Sequence, residues 1–169
     1  MRWALFTVPA VLGLGFLSGV VAGSGPANPW FDALDKPAIY PPPAAFGIVW
    51  SVLYVLMGLA LALVIAARGA PGRGAAVTAF VVQLAINLAW SPVFFAMHRM
   101  TLALGIILAL IVAVLVTIAL FWRVRRLAAG LLLPYLLWIG FASLLNLQFL
   151  QMNPQADGAA DPAVVRVEL

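Results

Sequence analysis

Five long apolar runs, parted by short polar breaks, limit this 169-residue chain to very few folds. They cover about residues 3–23, 44–67, 75–97, 101–122 and 127–150. Crossing a hydrocarbon core of ~30 Å takes roughly 20 helical residues, and each run reaches that length. A segment inside lipid must satisfy its own backbone hydrogen bonds, which favours helices. The runs are continuous rather than alternating, which argues against a β-barrel. Composition points the same way: 66% of the residues are hydrophobic and 8% charged, where a soluble domain carries about 25% charged residues. A soluble domain of this size has too much surface for its volume to bury so much apolar area. The expected fold is therefore all-α and membrane-integral. It is a five-transmembrane-helix bundle forming one domain over residues 1–152, with a flexible polar tail over 153–169.

The first run also has features of a secretory signal, with Arg2 ahead of it and the small residues Ala22, Gly23 and Ser24 at its end. Its apolar stretch exceeds the ~7–15 residues of a signal core, so a retained membrane helix is expected. Gly15, Gly19 and Gly23 repeat at intervals of four. Such a face lets helices approach closely, within one chain or between two.

The charges read as topology signals. Arg2, Arg68, Arg73, Arg123, Arg125 and Arg126 fall at one end of the alternating spans. Lys36, His98, Arg99 and the tail with Asp157, Asp161, Arg166 and Glu168 fall at the other. This bias predicts a cytoplasmic N-terminus if the membrane is an inner one. The nine basic residues are scattered rather than gathered on one face, which argues against a nucleic-acid partner. There are no cysteines, so disulfides, thiolate nucleophiles and Cys-ligated metals are excluded. A single histidine, His98, cannot build a bis-histidyl haem site or a histidine metal cluster. No carboxylate lies within a span, which disfavours paired acid–base catalysis.

Between the first two runs lies a loop, Ser24–Pro43, rich in proline and carrying Trp30, Phe31 and Tyr40. Proline stiffens such a segment by fixing φ. A long ordered loop of this kind suits a lid, while its aromatics could equally anchor it at the membrane surface. Within the spans, three stripes stand out at helical spacing. Phe46, Trp50 and Tyr54 lie on the second, and Gln83, Asn87, Trp90 and Phe94 on the third, where Pro92 frees a backbone carbonyl. Tyr135, Trp138, Ala142 and Asn146 lie on the fifth. Converging, these stripes would line an apolar cavity with a few polar handles, suited to a flat polycyclic ligand. The amides of Gln83 and Asn87 could instead serve only as hydrogen-bonded links between helices.

At these stripes the sequence resembles the TspO/MBR family, which includes the translocator protein (once the peripheral benzodiazepine receptor) and the bacterial tryptophan-rich sensory proteins. The resemblance rests first on Trp30-Phe31, Leu34, Lys36-Pro37, Pro41-Pro42, Phe46, Trp50, Leu53-Tyr54 and Met57. It continues in Gln83-Leu84-Ala85, Asn87, Trp90-Ser91-Pro92, Phe94-Phe95 and Arg99, and in Pro134-Tyr135, Trp138, Phe141-Ala142 and Leu145-Asn146. It implies a bundle, commonly a homodimer in membrane lipid, whose first loop covers a ligand cavity. It implies porphyrins, including protoporphyrin IX and haem, and isoquinoline or benzodiazepine compounds as ligands, with no obligatory cofactor and no metal site. The ligand-binding residues so implied are Trp30, Leu34, Pro42, Phe46, Trp50, Tyr54, Asn87, Trp90, Phe94, Trp138, Ala142 and Leu145. The function expected is that of a membrane receptor or sensor for tetrapyrroles. A light-dependent porphyrin-degrading enzyme is the alternative, and would use Trp50 and Trp138. A porphyrin or sterol transporter ranks third, because five spans offer no evident inverted repeat.

The chain also departs from the family pattern. Ala38, Ile39 and Ala44 stand where relatives usually carry tryptophans around the loop prolines. The sterol motif expected after Leu145-Asn146 needs a tyrosine and then a basic residue, but Leu147, Gln148, Phe149 and Gln151 stand there. Tight cholesterol binding is accordingly not expected.

Overall fold

The computed structural model describes residues 2–159, which contain no strand. Helix α1 (Ala4–Val21) leads through a loop holding the short α2 (Pro29–Ala33) to α3 (Pro43–Ala66). Helix α4 (Arg73–Ser91) runs on into a π-helical turn, Pro92–Ala96, and α5 (Met100–Val124) follows. The last span consists of α6 (Arg126–Leu131) and α7 (Leu133–Met152). Pro134 explains that break, because it has no N–H to offer the carbonyl of Gly130. The five spans start and stop within two residues of the expected positions. Around the bundle, the first span packs on the second, the second on the start of the fifth, the fifth on the fourth, and the fourth on the third, which closes on the first.

Lipid tails are as apolar as the side chains they touch, so helices in a bilayer associate through close packing and hydrogen bonds. Both are concentrated in the half of the bundle away from the loop. A Cβ on Gly58 of α3 would come within 2.6 Å of the Cα of Val8, and the Thr7 hydroxyl donates to the Gly58 carbonyl at 2.7 Å. Ala60, Ala76, Ala128 and Ala129 are fully buried there, and Phe80 stacks on Phe121 with centroids 6.0 Å apart. At Gly15 the Tyr54 ring occupies the space a Cβ would need. The first run is thus an integral wall of this bundle, and the glycine at position 15 serves contact inside the chain.

The carbonyl freed by Pro92 has a partner. Leu88, four residues earlier, accepts a 2.7 Å hydrogen bond from the Ser18 hydroxyl of α1. A side chain from the first span thereby completes the third where its regular ladder gives way to the π turn.

The loop is ordered by its own polar groups. The Asn28 side chain caps α2 by accepting from the Phe31 N–H, and its amide nitrogen donates to the Phe95 carbonyl at 3.1 Å. Lys36 donates to the carbonyls of Phe31, Leu34 and Asp32 at 2.6, 2.7 and 3.1 Å, closing the C-terminal end of α2. Burial lowers the Lys36 pKa from its ordinary value, against the opposing pull of Asp32 and Asp35.

Residues 153–159, the start of the polar tail, are hydrogen-bonded to the loop and to the start of the fourth span. Asn153 is buried; its side chain accepts from the Asp35 N–H at 2.8 Å and donates to the Asp35 carbonyl at 3.1 Å. A short turn, Pro154–Ala156, then brings the Ala156 carbonyl to the Trp30 indole N–H at 3.3 Å. Asp157 accepts from the backbone N–H and hydroxyl of Thr101 in the first turn of α5, where a negative charge is favoured. The Gly158 N–H donates to the carbonyl of His98, whose ring stacks on Trp30 at 4.5 Å. Side-chain hydrogen bonds hold this segment, whose polar composition carries no hydrophobic periodicity. Residues 160–169 of that expected tail lie outside the described residues.

Candidate functional site

Beneath the loop the helices splay and enclose a cavity of about 660 Å³. This lies within the ~300–1,000 Å³ usual for small-molecule sites. Its lining combines the three stripes: Phe46, Trp50 and Tyr54 from α3, Asn87, Trp90 and Phe94 from the third span, and Trp138, Ala142, Leu145 and Asn146 from α7. The aromatic rings prop one another apart. Trp50 stacks on Tyr54 at 5.2 Å, Trp90 on Phe94 at 5.0 Å, and Phe46 meets Trp138 edge-on at 5.9 Å. A wall of interlocked rings cannot collapse as aliphatic side chains would, which is why space persists here.

The polar groups divide into spent and available ones. Asn146 is spent: it accepts from the Trp90 indole at 3.3 Å and donates to the Met100 carbonyl at 3.0 Å. Gln83 is buried below the cavity rather than lining it, and accepts from the Tyr135 hydroxyl at 3.1 Å. Among the described residues its amide nitrogen is buried without a partner, as is the Trp138 indole nitrogen. Such orphan donors cost about 1–3 kcal/mol each. Asn87 accepts from the Tyr54 hydroxyl at 3.2 Å, and its amide nitrogen makes no hydrogen bond among the described residues. Since Asn87 lines the cavity, that nitrogen can serve a ligand acceptor.

Three expected ligand residues do not line the cavity. Trp30 and Leu34 are buried in a separate cluster with Phe94, Met100, Leu145 and Phe149, so they fix the loop to the bundle. Pro42 is exposed and precedes the first turn of α3, where its neighbour Pro43 reaches the cavity. Conversely, the first span supplies a wall of the cavity as well as a face for helix contact. Gly15, Gly19 and Gly23 line the cavity together with Phe16 and Val20. The repeat of small residues was the available signal, because a face without side chains leaves room as readily as it permits contact. Phe16, Val20 and Gly47 are also exposed on the bundle surface, so the cavity opens sideways between α1 and α3. Phe31 and Tyr40 of the loop and Phe149 of α7 form the roof. Burial raises the pKa of Tyr40 above its ordinary value, which keeps this phenol neutral. Among the described residues no group of histidines and carboxylates could hold a metal ion.

Comparison with known proteins agrees with this architecture. The model of the TspO/MBR family matches residues 6–152. The chain is 38% identical to the tryptophan-rich protein TspO of Chlorobaculum tepidum over 159 residues, covering 91% of this chain and 100% of that one. It is 36% identical to the tryptophan-rich sensory protein of Cereibacter sphaeroides over 154 residues, covering 90% and 94%. Against the human translocator protein the identity is 38% over 143 residues, covering 83% of each. Five apolar spans, aromatic stripes on three of them and a family match over nearly the whole length agree: this chain is a multi-pass integral membrane protein belonging to the TspO/MBR family.

Proposed function

We propose that the protein is a membrane receptor or sensor that binds tetrapyrroles such as protoporphyrin IX and haem, and flat isoquinoline or benzodiazepine-type compounds, in the cavity under the loop. The observation that carries this reading is the lining itself. Four indole and phenyl faces, from Trp50, Trp90, Phe94 and Trp138, surround a space with few polar groups. Stacking against such faces rewards a planar, apolar ring system, and the free Asn87 amide offers one directed hydrogen bond. The names of the relatives, sensory protein and translocator protein, fit a ligand-responsive membrane protein. The test is a titration of the detergent-purified protein with protoporphyrin IX, following tryptophan fluorescence in the dark. Saturable quenching that weakens in Trp138→Phe supports the reading. Quenching that never saturates, or an affinity indifferent to that substitution, rejects it.

A second reading, light-dependent degradation of the porphyrin, is favoured by one feature: Trp50 and Trp138 both border the same space. Repeating the titration under illumination separates the two. Multiple turnovers that require both tryptophans favour an enzyme, whereas bleaching no faster than that of free porphyrin leaves a binder.

A further inference from the structure

At the end of the bundle away from the loop, the outer surface of α5 combines an apolar stripe with an aromatic–cation pair. Leu108, Leu115 and Trp122 recur every seventh residue, with Val112 between them, and all four are exposed. Fourteen residues of helix cover about 21 Å, more than one leaflet of a ~30 Å hydrocarbon core. The stripe ends where the Arg126 guanidinium lies over the Trp122 ring, 5.5 Å from its centroid. Beside it Arg123 borders a shallow depression with Pro71, Gly72 and Leu120.

Among the described residues, charge at this end is of one sign. Arg2, Arg68, Arg73, Arg123, Arg125 and Arg126 all lie here. The carboxylates of the described residues are at the opposite end, with Asp32 and Asp35 in the loop and Asp157 at the start of α5. Arg73 is engaged, donating to the Ile65 carbonyl at 3.2 Å. Arg123 and Arg126 are exposed, Arg126 over the indole and Arg123 on the neighbouring depression.

We propose that this surface is a binding site for an anionic phospholipid. Arg126 and Arg123 hold its phosphate, Trp122 sits at the level of the glycerol backbone, and the acyl chains lie along Leu115, Val112 and Leu108. Topology asks for positive charge near a span, and interfacial anchoring for an indole at its end. Neither asks for a guanidinium over that indole at the foot of a lipid-facing stripe. The surface is separate from the cavity, so it stands whether or not porphyrin binds there.

The test uses the full-length protein in nanodiscs made from equal parts phosphatidylglycerol and phosphatidylcholine, with the lipids that remain bound after mild detergent extraction weighed by native mass spectrometry. Each guanidinium near an anionic surface favours the charged lipid by about fivefold. Retention of phosphatidylglycerol is expected to exceed that of phosphatidylcholine in the natural sequence and in Arg99→Gln, a control at the other end. It is expected to fall severalfold in Arg123→Gln/Arg126→Gln. Trp122→Leu, which keeps both charges, covers the case in which the double variant does not fold, and is expected to lose part of the preference. Equal retention of the two lipids in the natural sequence overturns the proposal, as does a preference untouched by all three substitutions at Trp122, Arg123 and Arg126. Displacement of phosphatidylglycerol by inorganic phosphate, beyond that by chloride at the same ionic strength, overturns it in favour of a free-phosphate site.

Discussion

The two halves of this bundle are made from the same five helices and differ in what stands between them. In the half away from the loop, glycine and alanine let backbones touch: Gly58 lies against Val8, and Ala60, Ala76, Ala128 and Ala129 leave no space. In the half beneath the loop the facing positions hold Phe46, Trp50, Trp90, Phe94 and Trp138, and the helices stand around a cavity of about 660 Å³. A bilayer supplies little hydrophobic force between helices, so stability has to come from the half with close contact. That lets the other half keep rings apart, leave the buried Trp138 indole nitrogen without a partner among the described residues and remain open on one side. Between them, Tyr54 on Asn87 and Tyr135 on Gln83 form a floor of hydrogen bonds at which packing ends and space begins.

Substitutions sort along this division. The largest loss of stability is expected from Gly58→Leu, which forces a side chain into the backbone of Val8. Overpacking costs about 1–3 kcal/mol and more where backbones must part. The thermal midpoint from fluorescence-detected size exclusion should fall steeply, and porphyrin binding with it; an unchanged midpoint would break the assignment of stability to this half. Next comes Trp138→Phe, which trims a cavity ring without opening a helix contact. Losing about 1 kcal/mol of ring contact weakens porphyrin binding by roughly fivefold to tenfold. The midpoint should hold, and a large drop would show that the aromatic half is structural after all.

Asn153→Ala sharpens the comparison at the roof. It removes both hydrogen bonds to Asp35, worth about 1 kcal/mol net. In stopped-flow displacement the ligand should leave several times faster, with a smaller change in its association. An unaltered off-rate would mean that the loop does not cover the exit. The smallest effect is expected from Gln83→Met. It removes a buried orphan amide nitrogen along with the bond from Tyr135, and hydrogen bonds between membrane helices average only ~0.6 kcal/mol. Affinity should stay within twofold, because Gln83 lies below the cavity; a large loss would move the floor downward by one turn.

Much of the site was legible in one dimension, because a helix turns spacing into direction. Residues three or four apart share a face, so Phe46, Trp50 and Tyr54 had to look the same way, as did Asn87, Trp90 and Phe94. Trp30, Leu34 and Pro42 were legible only as parts of the family pattern. The loop that carries them has no repeat from which a direction follows, and the structure buries Trp30 and Leu34 at its foundation and leaves Pro42 exposed, outside the lining. The glycine face of α1 was visible, but its meaning was not. The same absence of side chains brings the Tyr54 ring against Gly15, whereas at Gly19 a Cβ would meet only the Ser24 hydroxyl, at 4.0 Å.

The sequence by itself determined the solvent, the number of spans, their ends to within two residues and the faces that carry the rings. These follow from local rules, the thickness of a bilayer and the pitch of a helix, which need no knowledge of neighbours. Only the tertiary structure decided that Asn153 ties down the loop, that Ser18 satisfies the carbonyl freed by Pro92, and that Asn146 is spent where Asn87, bonded through its oxygen to Tyr54, keeps its amide nitrogen for the cavity. Each depends on partners tens of residues away, and a hydrogen bond carries no mark in the sequence of which distant group will complete it.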